Sequence, residues 1–146
     1  MARAMSPERI NDLVKRHRPR GWRVAQSKHR YKWDSAACCN VKRILYVPTL
    51  KDDESLFLFF HEVGHVLKKH FSRNLPHHVE EFEAELYAVH LFRAENIPVT
   101  KYIRQCIRER LCSWIESDRK KGVPIQRHIA RWANHKVKKR GRSSDR

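Results

Sequence analysis

The chain has 146 residues, 40% of them hydrophobic, and a formal net charge of +16; that is apolar mass for one core and gives no reason to expect two. The longest unbroken apolar run, Leu56 to Phe60, falls far short of the roughly 20 residues that cross a bilayer, and the opening MARAMSPER lacks the apolar stretch of a secretory signal. The expectation is a soluble, cytoplasmic protein with no membrane partner. Charge is unevenly spread: residues 1–50 hold 12 basic and 3 acidic groups, 51–100 hold 5 and 9, and 101–146 hold 15 and 4. Basic flanks of this size suit an anionic partner, nucleic acid or an acidic protein surface, around an acidic centre.

In chain order, Ser6-Pro7-Glu8 reads as a helix start, with a capping hydroxyl, a proline at the first helical position and an acid in the first turn. Ile10, Leu13, Val14 and His17 make one face, and Pro19 ends it. Between Gly21 and Pro48 the β-formers Trp22, Val24, Val41, Ile44, Leu45, Tyr46 and Val47 predict two or three strands. Asp52 and Asp53 open the next helix, which Leu56, Phe57, Phe59, Phe60, Val63, Val66 and Leu67 make apolar over most of its circumference, as in a core helix. After Asn74-Leu75-Pro76 a second helix runs from about His78 to Glu95 with Val79, Phe82, Leu86, Val89 and Phe92 as its stripe. Thr100 starts a third with Tyr102, Ile103, Ile107, Leu111, Trp114 and Ile115 inward. A last helix begins near Pro124 and carries Ile125, Ile129 and Trp132, and Lys136 to Arg146 form a basic tail expected to be disordered.

Inside the apolar helix sits His61-Glu62-Val63-Gly64-His65. Residues four apart on a helix stack one above the other, so both imidazoles can converge on one ion, and Glu62, one step round, can face a water activated by that ion as general base. Gly64 costs about 1 kcal/mol relative to alanine inside a helix, which predicts a close approach by another element. A catalytic zinc takes three protein ligands and leaves one position open, so one more His, Asp or Glu is required. The following helix offers Glu80, Glu81, Glu83 and Glu85. Glu81 and Glu85 share a face: Glu81 could bind the metal while Glu85, one turn on, accepts the second ring N–H of a ligand histidine. Acids near a helix start also complement its macrodipole on a solvated face. The cysteines read as reduced, idle thiols: Cys38 and Cys39 are adjacent and Cys106 and Cys112 fall on different sides of a helix, which disfavours local disulfides, and the lack of a C-x-x-C weighs against a second metal site of Cys and His.

These residues resemble the ImmA/IrrE metallopeptidases, gluzincin-type zinc proteases often carried by mobile genetic elements or stress-response systems. The resemblance covers roughly residues 41–92: a strand, Arg43-Ile44-Leu45-Tyr46-Val47; an apolar lead-in; HEVGH followed by His70; and a Glu-x-x-Ala-x-x-x-Ala helix, here Glu81-Phe82-Glu83-Ala84-Glu85-Leu86-Tyr87-Ala88. It implies that Glu81 is the third ligand beside His61 and His65. Where the family commonly has Asn after the first alanine this chain has Glu85, similar to the Glu-x-x-x-Asp arrangement of other gluzincins. The frequent Leu-Met-Pro ending is replaced by residues 92–98. His70 is read as structural, since it lies about 140° from His65 on a continuous helix.

The fold implied is α+β and zincin-like: a short mixed β-sheet packed on the HExxH helix and the Glu-bearing helix, with additional C-terminal helices. It forms one domain over residues 1–135, with its core at 41–97, C-terminal helices at 100–135 and the tail at 136–146. The function implied is zinc-dependent (Zn2+) endopeptidase activity on a protein substrate, such as a DNA-binding transcriptional repressor, with Glu62 as base. Ile44, Leu45, Tyr46 and Val47 would bind the extended substrate as an added strand. Two rival readings stand beside it. One is a basic nucleic-acid-binding protein with a structural or vestigial zinc, working through Trp22, Tyr31 and Trp33 and the segment Arg127 to Arg142. The other is an SprT-like protease acting on DNA-bound proteins, in which His77, His78 or His90 replaces Glu81.

Overall fold

A computed structural model describes residues 2–27 and 36–134. Tyr31, Trp33 and the tail 136–146 lie outside the described residues. The architecture is α+β, with five α-helices and a three-stranded mixed sheet: α1 (Pro7–His17), β1 (Arg23–Gln26), β2 (Ala37–Cys39), β3 (Ile44–Val47), α2 (Asp53–Leu67), a 3-10 turn (His70–Ser72), α3 (His77–Ala94), α4 (Lys101–Lys120) and α5 (Arg127–Trp132). No helix among the described residues is long and apolar enough to cross a membrane.

Local chemistry sets the helix starts. The Ser6 hydroxyl accepts from Arg9 N at 3.3 Å, and the Thr100 hydroxyl accepts from Ile103 N at 3.2 Å. Asp52 and Ser55 form a reciprocal capping box that satisfies donors at the start of α2. That cap matters because every residue of α2 from Asp53 to His65 is buried, and an orphan N–H there would have no water to bond. Phe57, Phe59 and Phe60 are fully buried, and Phe92 of α3 packs edge-on against Phe57 and Phe60 at ring distances of 5.2 and 5.8 Å. Each such ring contributes roughly 1.5–3 kcal/mol by leaving water.

The sheet order is β1-β3-β2, with β3 parallel to β1 (Val24 beside Leu45) and antiparallel to β2 (Cys38 beside Leu45). Ile44, Leu45, Tyr46 and Val47 therefore form the central strand. This corrects the expectation that they offer a free edge to substrate: both of their hydrogen-bonding sides are taken. Val41 is not a strand residue but lies in the preceding turn, 94% exposed, and Arg43 turns the chain into β3 at φ 51°. Tyr102, expected inward, is 40% exposed.

The closest meeting of elements is between α2 and α3. A Cβ on Gly64 would lie 3.2 Å from the Ala84 backbone Cα and 3.1 Å from Tyr87 Cβ. Ala84 and Ala88 are fully buried, so small residues on both helices bring the two backbones together.

α4 covers this pair with an i, i+4 stripe of Ile103, Ile107, Leu111 and Ile115, all fully buried. Its far end is tied to α3 by a buried polar contact. Asp118 Oδ2 accepts from His78 N at 2.9 Å and from His78 Nδ1 at 2.6 Å, while His78 Nε2 accepts from Gln126 N at 3.2 Å. Pro76 provides no side-chain cap to α3, so Asp118 performs that duty from another helix.

Two predictions follow from these contacts. Gly64→Val should destabilise the protein by about 1–3 kcal/mol through overpacking, read as a lower urea midpoint; an unchanged midpoint would show that α3 can move away freely. Burial pushes the Asp118 carboxyl up, but the His78 backbone N–H and ring outweigh it and hold it below its ordinary value. A depressed pKa contributes stability above the unfolded value, lost as pH falls through the folded one. Asp118→Ala should therefore cost about 2 kcal/mol at neutral pH, with the gap to wild type narrowing below about pH 4. A gap independent of pH down to acid unfolding would remove the ionic part of this account.

Candidate metal centre

Three donor atoms converge between α2 and α3. His61 Nε2 lies 3.0 Å from His65 Nε2 and 3.0 Å from Glu81 Oε2, and His65 Nε2 lies 3.3 Å from Glu81 Oε1. Among the described residues this is the one group of histidine, cysteine and carboxylate side chains close enough to share a metal ion. Zinc bonds of about 2.0–2.1 Å at the tetrahedral angle put ligand atoms about 3.3 Å apart, so the spacing fits with little adjustment. The close approach at Gly64 produces it, since Glu81 is one turn of α3 before Ala84.

Hydrogen-bond bookkeeping points the same way. His70 Nε2 is 2.9 Å from Glu83 Oε2, and a carboxylate only accepts, so His70 donates there. The remaining His70 Nδ1 then accepts from His65 Nδ1 at 2.8 Å, which leaves the lone pair of His65 on Nε2, aimed into the cluster. Glu83 is itself gripped by Arg73 through contacts of 2.7 and 3.0 Å, and Arg73 holds its carboxyl below the ordinary range. His61 Nδ1 faces Glu85 Oε1 at 3.4 Å, long for a hydrogen bond, and Arg110 of α4 holds the same oxygen at 2.9 Å. The His65 Nε2 lone pair and the Glu81 carboxylate call for positive charge between them, supplied by a metal ion or by a proton on His61 Nε2.

The electrostatics agree. Burial pushes the His61 ring down, yet Glu85 and Glu81 outweigh it and lift it to about 10. Burial pushes Glu81 up, and His61 and His65 outweigh that, holding it well below its ordinary value. The field at His61 Nε2 thus favours positive charge, and a proton and a metal ion compete for one lone pair.

Glu62 is buried, with Oε1 3.9 Å from His61 Nε2, too far to share a proton directly. It lines two adjoining cavities of about 280 and 320 Å3 that have Ala36, Glu81 and Trp114 in common. Ala37 and Cys38 of β2 form one wall of the larger, and the Cys38 thiol, pushed up first by burial and then by Glu62, stays protonated. His77 stacks on Trp114 at 5.3 Å, and both line the larger cavity.

His61, His65, Glu62, Glu81 and Glu85 are thus all at this centre. Ile44 to Val47 are one strand removed from the cavity, behind β2. Three further residues meet here: the sequence places Trp114 only in an inward stripe and gives Cys38 no part in the chemistry, and Arg110 sits in the middle of a basic amphipathic helix, where nothing local marks one arginine from its neighbours. The structural reading of His70 is refined: Lys69, at φ 55°, breaks the helix and turns His70 back onto His65.

The rival ligands are placed elsewhere. His78 is committed to Asp118, His90 lines a different cavity, and His77, though at the cavity wall, is not within the donor group. Trp22 is buried and stacks on Phe71 at 6.2 Å, so it offers no face to a nucleic-acid base.

No protein-family model matches the chain, and neither a curated protein nor a solved structure is significantly similar to it. If His70 fixes the His65 tautomer, His70→Ala should weaken zinc binding about 10- to 100-fold in a chelator competition while leaving the fold intact by circular dichroism; unchanged affinity would mean that the ring pair does not orient the ligand.

Proposed function

We propose that the chain is a zinc-dependent endopeptidase of zincin-like fold, with His61, His65 and Glu81 as metal ligands and Glu62 as general base. The observation that carries this reading is the convergence of three lone-pair donors with a buried carboxylate beside them, facing a cavity. Zinc bound there would supply a Lewis acid and lower the pKa of water toward about 7. Glu62 would accept the proton of the attacking water and later deliver it to the leaving amine, a role that suits a carboxylate near the ligands but outside the donor set. Glu85, held by Arg110, orients His61, and His70, held by Glu83, orients His65.

For the substrate, β2 replaces β3 as the strand that an extended peptide would join. Among the described residues β2 pairs with β3 alone, and its Ala37 and Cys38 lie beside Glu62. An added strand there would run its backbone past the metal, with specificity supplied by the Trp114 and His77 wall. A protein substrate such as a DNA-binding repressor remains the reading that the family resemblance supports, and the net charge of +16 would draw the enzyme to DNA-bound targets.

Elemental analysis of metal-replete protein should find one zinc per chain in wild type and in Glu62→Gln, and a loss in Glu81→Ala. In a casein-cleavage assay Glu62→Gln should be slower by about 100- to 10,000-fold. Wild type without zinc sinks the proposal, and full cleavage by Glu62→Gln excludes this base.

A further inference from the structure

A second cavity, of about 340 Å3, lies between α3, α4 and α5 and shares no lining residue with the metal centre. Its volume is within the range of about 300–1,000 Å3 common for small-molecule sites. Four guanidinium groups from three helices line it: Arg93 of α3, Arg104 and Arg108 of α4, and Arg131 of α5. Among the described residues no carboxylate lines it.

What sets these arginines apart is that all four gather round one cavity. Arg16, Arg73, Arg110 and Arg119 each pair with a carboxylate, whereas Arg93, Arg104, Arg108 and Arg131 make no ion pair among the described residues. Among the described residues, the one hydrogen bond made by any of these guanidinium groups is a long contact of 3.4 Å from Arg104 Nε to the Val99 carbonyl. Arg104 and Arg108 are also four apart on one helix face, a like-charge spacing that weakens a helix. Repulsion gathered round one hollow is relieved by an anion inside it.

The rest of the lining narrows the anion. Trp132 forms an aromatic wall, its ring set edge-on against Phe82 at 5.9 Å, and Leu86, Val89 and Val99 supply an apolar floor. A bare inorganic anion would use the guanidinium groups and leave this floor uncovered. A phosphate ester carrying a planar ring uses both: the arginine fork matches phosphate oxygens bidentately, and an aromatic ring or a guanidinium plane stacks a base. We propose that this cavity binds a nucleotide, either free or as one unit of a single-stranded nucleic acid.

The test is calorimetric titration of the full chain with adenosine monophosphate, inorganic phosphate and a short thymidine oligonucleotide in turn. Three proteins are compared: wild type, Arg104→Glu/Arg108→Glu, and Lys15→Glu/Lys42→Glu, which makes the same charge change at exposed positions away from the cavity. All keep the basic residues 136–146, and matching thermal midpoints establish that the exposed substitutions leave the fold alone. Saturable binding of the monophosphate or of the oligonucleotide, weakened roughly tenfold or more by the arginine pair and little by the lysine pair, supports the proposal and tells a free nucleotide from a strand. Inorganic phosphate binding as tightly as the monophosphate overturns it, since the apolar floor then does nothing. Equal loss in both variants, or binding unaffected by either, also overturns it by assigning the effect to overall charge; no binding of any probe does the same.

Discussion

The contact on which the rest depends is the near-touching of two helix backbones at Gly64 and Ala84. With a side chain at Gly64, or a larger one at Ala84, α3 would stand farther from α2, and a carboxylate one turn upstream would not reach two imidazoles. The glycine weakens its own helix, and burial of Phe57, Phe60 and Phe92 across the same interface offsets that cost. Packing therefore sets the 3.0–3.3 Å spacing of the donors, and local helix geometry alone would give only the histidine pair.

A buried group of this polarity is tolerated because nearly every member is held by a partner from another element. Arg110 comes from α4, His70 from the 3-10 turn, Glu83 from the exposed side of α3 and Arg73 from the loop before it. Each of these contacts removes a freedom from the side chain it holds. Four acids of the acidic segment 51–100, Glu62, Glu81, Glu83 and Glu85, gather here.

α4 serves two regions of opposite electrostatic character. Its buried stripe of Ile103, Ile107, Leu111 and Ile115 packs on the core, Arg110 reaches Glu85 on one flank, and Arg104 and Arg108 face the cationic cavity on another. Arg108 and Arg110 are two residues apart, about 200° round the helix. Helical phase thus directs Arg110 to the carboxylates at the α2–α3 centre and Arg104 and Arg108 to the cavity.

Much was legible in the chain itself. Ser6, Asp52 and Thr100 cap helices where the sequence predicts, because capping depends on residues within one turn. The HExxH spacing and the shared face of Glu81 and Glu85 follow from 3.6 residues per turn, and Gly64 announces a close neighbour because an unneeded glycine would be costly. The sequence by itself thus determined the helices, their caps and the residues able to meet a metal. Tertiary structure decided what depends on distant parts of the chain. Strand order put Ile44 to Val47 in the centre of the sheet and β2 beside the cavity, since neighbouring strands are selected by long-range pairing. A left-handed residue at Lys69 redirected His70, a turn that helical phase cannot foresee. Burial removed Trp22 from the surface, and the packing of three helices selected Arg110 and the four cavity arginines from a basic sequence in which, residue by residue, they look alike.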